Sequence, residues 1–214
     1  MRSFPVQPTV WSENPYQKDY YERDFFACAD GHKEFPNHHC KQTWLSSKPY
    51  IINKRNAVDI GCRDGEYTRY LQYEFAHVFC FDYRKRRNFP VNVDLSNVTH
   101  FHCGLAESNT TEKVSGGSNM KSQQIPQERW YEYQLYSLDS FNINDVDYIK
   151  IDVDGFEKRI LQGAKNTIDR YKPIIVLEQT DSDTTGIDYL QSIHNYEICV
   201  WDADYRNVIM REKQ

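Results

Sequence analysis

Asn56-Ala-Val-Asp-Ile-Gly61-Cys-Arg-Asp-Gly65-Glu-Tyr-Thr68 is the stretch from which the rest of the chain is read. Ala57 to Ile60 is a short apolar run suited to a buried strand, and Gly61 to Gly65 reads as a turn. Glu66 to Tyr73 is predicted as the helix that follows. A strand feeding a helix through a tight turn is the first unit of a doubly wound α/β sheet, whose ligands bind beyond the carboxyl ends of the strands. Gly61 and Gly65 permit the backbone dihedrals and the close approach that such a site needs.

A turn that grips pyrophosphate offers helix N–H groups and no nearby anion. Here Asp59 stands two residues before Gly61, and Asp64 lies inside the turn. Such anions repel a dinucleotide phosphate and attract a cationic ligand. S-adenosylmethionine, with its sulfonium and ammonium, is the cofactor this implies. The spacing Asp-x-Gly-x-x-x-Gly also suits an ordinary strand-to-helix turn, so the downstream residues must carry the argument.

Downstream, His77 to Asp82 reads as a second strand ending in an acid. That acid falls about 20 residues past the glycine turn, where a carboxylate accepts from both hydroxyls of a ribose. Arg84-Lys85-Arg86-Arg87 reads as the solvated start of a helix, with a contact to an anionic substrate as the lesser alternative. Val98 to Cys103 is a third strand, followed by Gly104-Leu105-Ala106-Glu107 in position to flank an adenine. Residues 107–135 are polar, with Gly116-Gly117-Ser118-Asn119 at their centre, and read as one long loop, either a substrate loop or merely mobile. Asp147 to Ile151 is a buried strand with Asp152, Asp154 and Glu157 crowded at its end. Three acids beside a ligand site are costly unless they meet a sulfonium, a metal ion or a substrate proton. Lys150 is expected to point away from this site. A helix is predicted over 156–170, with Ile160, Leu161, Ala164 and Ile168 on one face. Ile174 to Glu178 is a fifth strand ending in an acid, 186–193 a helix, and 196–201 with 206–211 a terminal hairpin about Asp204-Tyr205.

The 214 residues suit one large domain preceded by an arm or lid, partly helical, over 1–48, with the main domain over 49–214. The formal net charge of −5 does not favour a general grip on nucleic acid, while leaving room for a local basic patch. The mean hydropathy of −0.79 points to a thin core and a wet surface. Cys28, Cys40, Cys62, Cys80, Cys103 and Cys199 include no C-x-x-C pair and read as reduced thiols. Cys28, His32, His38, His39 and Cys40 match no common zinc spacing and read as a polar lid near the mouth of the sheet. With no apolar leader and no long apolar run, a cytoplasmic protein without a membrane span is expected.

Taken together, residues 58–68, 79–82, 137–140, 149–157 and 172–178 resemble the FkbM family of S-adenosylmethionine-dependent methyltransferases. The likeness covers roughly residues 50–180. It implies a Rossmann-like class I methyltransferase fold, a doubly wound and mostly parallel seven-stranded sheet with one antiparallel strand, and O-methylation. Asp82 and Asp154 stand where the family more often has Glu, and Tyr83 where it usually has Pro. The residues assigned to the donor are Asp59, Gly61, Arg63, Gly65, Thr68, Asp82, Leu105 and Asp152. Asp152 is the first choice as general base or orienter of an acceptor hydroxyl, and Glu178 the second. The acceptor is expected to be a small molecule or a sugar. The alternatives are a polymer such as RNA, methylated on a ribose hydroxyl, and a non-catalytic nucleoside-binding module. No metal ligand is assigned, although Asp152, Asp154 and Glu157 could form a metal-assisted variant. Nothing in the sequence sets an oligomeric state.

Overall fold

The computed structural model describes residues 3–28, 34–115, 130–153, 155–178, 184–202 and 206–214. In chain order its elements are α1 (Lys18–Glu22), β1 (Phe25–Ala27), β2 (Glu34–Pro36), α2 (His38–Ser47), β3 (Asn56–Ile60), α3 (Thr68–Leu71), β4 (His77–Asp82), α4 (Phe89–Asn92), β5 (Val98–His102) and β6 (Gly104–Leu105). Then follow β7 (Thr110–Ser115), β8 (Trp130–Tyr136), β9 (Val146–Ile151), α5 (Glu157–Gly163), α6 (Lys165–Tyr171), β10 (Ile174–Glu178), α7 (Thr185–Ile193), β11 (Tyr196–Asp202) and β12 (Asn207–Glu212). Seven strands form one sheet in the order β11-β12-β10-β9-β3-β4-β5. Strands β5, β4, β3, β9 and β10 run parallel, and β12 lies antiparallel to both of its neighbours.

Parallel strands covered on both faces read as near-continuous apolar runs, and all six residues of β9 are buried. Alternation divides them between two layers. Val58, Ile60, Phe79, Phe81, Ile149, Ile151, Ile175 and Leu177 pack on one face with Ile160, Leu161, Ile168, Ile187 and Leu190 from α5, α6 and α7. Ala57, Val78, Cys80, Tyr148, Val176 and Ile209 pack on the other with Trp44 of α2 and Tyr67, Tyr70 and Leu71 around α3. Tyr148 brings a hydroxyl into this second layer. Its oxygen meets Tyr67 Oη at 2.6 Å and Ser47 Oγ at 2.8 Å, so a buried polar atom gains two partners and ties α2 to the sheet.

Residues 3–11 cross the β5 edge of the sheet. Phe4 packs on one face against Phe101 (centroids 5.0 Å apart) and Phe79, and Trp11 stacks on Phe89 at 5.7 Å on the other. Between them the Thr9 N–H donates to His100 O at 2.7 Å. An open parallel edge is thereby given a partner and a cover.

Several elements depart from the sequence reading. The helix after the glycine turn is regular only over Thr68–Leu71, because residues 61–67 continue as turns. Residues 84–87 start no helix, which begins only at Phe89. The polar stretch 107–135 holds β7 and β8, an antiparallel pair running from Thr110↔Leu135 to Ser115↔Trp130. Gly116-Gly117-Ser118-Asn119 and the hairpin tip Asp204-Tyr205 lie outside the described residues. The helix predicted over 156–170 breaks at Ala164 into α5 and α6. The cause is tertiary: Asp139 accepts from the backbone N–H groups of Asn166 and Thr167, both at 2.9 Å, and so caps a new helix start. No helix among the described residues is long and apolar enough to cross a membrane.

Candidate active site

At the carboxyl ends of β3, β4, β9 and β10 the strands splay around a cavity of about 320 Å³, within the range of small-ligand sites. Gly61, Arg63, Asp82, Leu105, Asp152 and Glu178 line it. Asp59, Gly65 and Thr68 do not. All three are buried beside it.

The wall is held by backbone fit. Gly61 has φ +80°, and a Cβ there would stand 1.9 Å from Asp152 O, so β3 and β9 touch where the cavity begins. Arg63 also adopts the left-handed region, at φ +47°. This bend aims its N–H at Asp82 Oδ2, at 2.9 Å, while the Arg84 N–H donates to Asp82 Oδ1 at 2.7 Å. Burial raises the Asp82 carboxyl, and these two N–H groups work against that rise.

Asp152 is the electrostatic centre. Lys150, in β9, lies two residues before Asp152, which follows the strand directly, and it points to the same side as Asp152, not the opposite one. Its ammonium donates to Asp152 Oδ2 at 2.6 Å while only 4% exposed. Burial alone would raise Asp152; the Lys150 ammonium outweighs this, a hydrogen bond with Glu178 adds to it, and the carboxyl sits at about 2. Burial likewise opposes the charge on Lys150, but Asp152 and Asp59 hold it above the ordinary lysine range. Asp59 is thus the second counter-ion beneath the site. Burial lifts it to about 6, against Lys150 and a 2.6 Å hydrogen bond from Thr68 Oγ1, and its Oδ1 has no hydrogen-bond partner among the described residues.

His39, at the start of α2 and read from the sequence as part of a general polar lid, is exposed and does not line the cavity, but it feels the charges of the site. Its charged neighbours are Asp152, Lys150 and Arg63, and partial burial lowers its pKa. Asn37 Nδ2 donates to Glu66 O at 2.7 Å and pins the start of α2 to the glycine turn. The available signal was Asn37-His38-His39 opening a helix. Arg84 and Arg86, read first as a solvated helix start and only second as a contact to an anionic substrate, both line the cavity.

The metal reading gains nothing here. Glu157 accepts from the Gly155 N–H at 2.9 Å, and Asp154 lies outside the described residues, as does His32. Among the described residues no group of three or more His, Cys, Asp or Glu side chains is placed to hold a metal ion.

A mostly parallel seven-stranded sheet with one antiparallel strand, open at its carboxyl end, defines a Rossmann-like protein of the class I methyltransferase type. A family model described as the methyltransferase FkbM domain matches residues 59–206, and the chain belongs to that family. Among solved structures, the chain is similar to the methyltransferase FkbM from Methylobacillus flagellatus KT, with 17% identity and a TM-score of 0.52, over 76% of this chain and 45% of that one. It is also similar to a protein described as precorrin 8W decarboxylase, from Methanobacterium thermoautotrophicum, with 14% identity and a TM-score of 0.51, over 83% of this chain and 89% of that one. The chain therefore spans less than half the length of the first of these, and at such identities the likeness is one of fold. No curated protein matches the chain.

Proposed function

We propose that the protein transfers a methyl group from S-adenosylmethionine to a hydroxyl oxygen of a small molecule or sugar. The observation that carries this reading is the cavity of about 320 Å³ at the strand ends of an FkbM-family domain, with an acid on each side. The donor's chemistry fits the residues present. Asp82 suits the ribose hydroxyls, Leu105 and Phe156 the adenine, Arg63 the methionine carboxylate, and Asp152 with Glu178 the cationic groups. When bound, S-adenosylmethionine supplies an electrophilic methyl on sulfur.

The chain's own residues orient the acceptor and manage its proton. Much of the rate of such a transfer comes from holding the partners in line. A carboxylate at about 2 accepts a hydrogen bond well but is a weak base. Asp152 therefore orients the hydroxyl, with Lys150 as its positioning residue. His39, whose pKa partial burial lowers in favour of the neutral form, is the better proton acceptor. Arg84 and Arg86 line the cavity itself, which suits a small acceptor.

Calorimetric titration with S-adenosylhomocysteine, with NAD as control, tests the reading. Micromolar binding of the first and none of the second is the expected result. Binding of NAD alone, or of neither, overturns it.

A further inference from the structure

The run Arg84-Lys85-Arg86-Arg87 follows β4 in a non-helical conformation, and its side chains part ways. Arg84 and Arg86 line the cavity. Lys85 turns outward to the arm, where its ammonium donates to Val10 O at 3.3 Å and lies 5.1 Å from the Trp11 ring centroid. Arg87 is exposed and outside the cavity lining.

The two inward arginines are built into the wall. The Arg84 guanidinium lies 4.9 Å from the Tyr83 ring centroid and is hydrogen-bonded to Tyr133. Tyr83 and Tyr133 in turn meet edge to face at 5.1 Å. A fork held on an aromatic face loses little freedom when it meets an anion. Arg86 Nε is buried and has no hydrogen-bond partner among the described residues. An unmet donor on a charged group is costly, and an incoming oxygen would relieve it.

The nearby acid, Asp82, gives Arg86 a counter-charge but does not meet its Nε. Nor does the donor, whose single anion is a carboxylate that Arg63 suffices to meet. We propose that the acceptor carries a phosphate group, and that Arg84 and Arg86 bind it. A phosphate ester with close to two negative charges matches two guanidiniums in charge, and its oxygens match their forks in shape. The inference rests on the methyl-transfer reading for the identity of the second ligand, and not for the existence of the phosphate site.

The test is titration of inorganic phosphate into the full chain saturated with S-adenosylhomocysteine, at low salt. The expected result is saturable binding that weakens at least tenfold in Arg84→Gln/Arg86→Gln. In Lys85→Gln/Arg87→Gln, which removes the same charge, binding stays within twofold of the parent. Affinity for S-adenosylhomocysteine alone should be retained in both variants, which shows that each is folded. Equal weakening in the two variants, no binding by the parent, or displacement of S-adenosylhomocysteine by phosphate overturns the proposal. If S-adenosylhomocysteine fails to bind while arginine-dependent phosphate binding persists, methyl transfer fails and the phosphate site stands without its acceptor.

Discussion

At the scale of single residues, the site is a stack of alternating charge: Asp152 at the cavity, Lys150 beneath it, and Asp59 beneath that. Removing one member of such a buried set strands the others, so it acts as a unit. Asp59 gives this a measurable consequence. Its folded pKa of about 6 lies above the ordinary value of 3.8. Between these values the folded protein keeps a proton that the unfolded chain has lost, so Asp59's contribution to stability falls as pH rises from about 4 to 6. Asn at this position does not titrate. The parent should therefore lose about 2 kcal/mol relative to Asp59→Asn between pH 4 and pH 7, by the cost of 1.36 kcal/mol per unit. Urea unfolding of both proteins at the two pH values measures it; a parallel dependence on pH would refute the buried, raised carboxyl.

At the scale of elements, the break between α5 and α6 shows how a motif acquires a structural role. Ser137-Leu138-Asp139-Ser140 contributed to the family resemblance without a stated role. The structure gives Asp139 a task at a distance in sequence: its carboxylate caps α6 through Asn166 N, Thr167 N and, at 2.7 Å, Thr167 Oγ1. Asp139→Ala should cost about 1–2 kcal/mol in chemical denaturation, the usual loss of a helix cap, with donor binding unchanged. Loss of donor binding instead would mean that Asp139 acts on the cavity. The heptad-like apolar spacing of 156–170 gave no sign of the break, because the cap comes from another part of the chain.

Across the whole molecule, the arm joins the two layers of the core around one edge of the sheet. Phe4 packs on Phe101 in one layer and Trp11 on Phe89 in the other. Their truncations should therefore add. Phe4→Ala and Trp11→Ala are each expected to cost about 2 kcal/mol, less than a fully buried aromatic, and the double variant close to the sum. A double variant no less stable than either single one would show that the arm detaches as a unit when one anchor is lost. The same arm receives Lys85, which leaves the cavity to Arg84 and Arg86.

The order of short apolar runs and the acids at their ends determined β3, β4, β9 and β10 and a ligand site at their carboxyl ends. Burial on both faces writes a local pattern that needs no knowledge of neighbours: β4 and β10 run over the residues expected. Asp82, Asp152 and Glu178 were legible because a strand end is a position along the chain. Which charged side chains face the cavity was decided only in three dimensions. Arg84 and Arg86 are turned in by an irregular segment, whereas Asp59 is buried against Lys150 and Thr68 outside the lining. These choices depend on partners distant in sequence, and charge alone carries no direction.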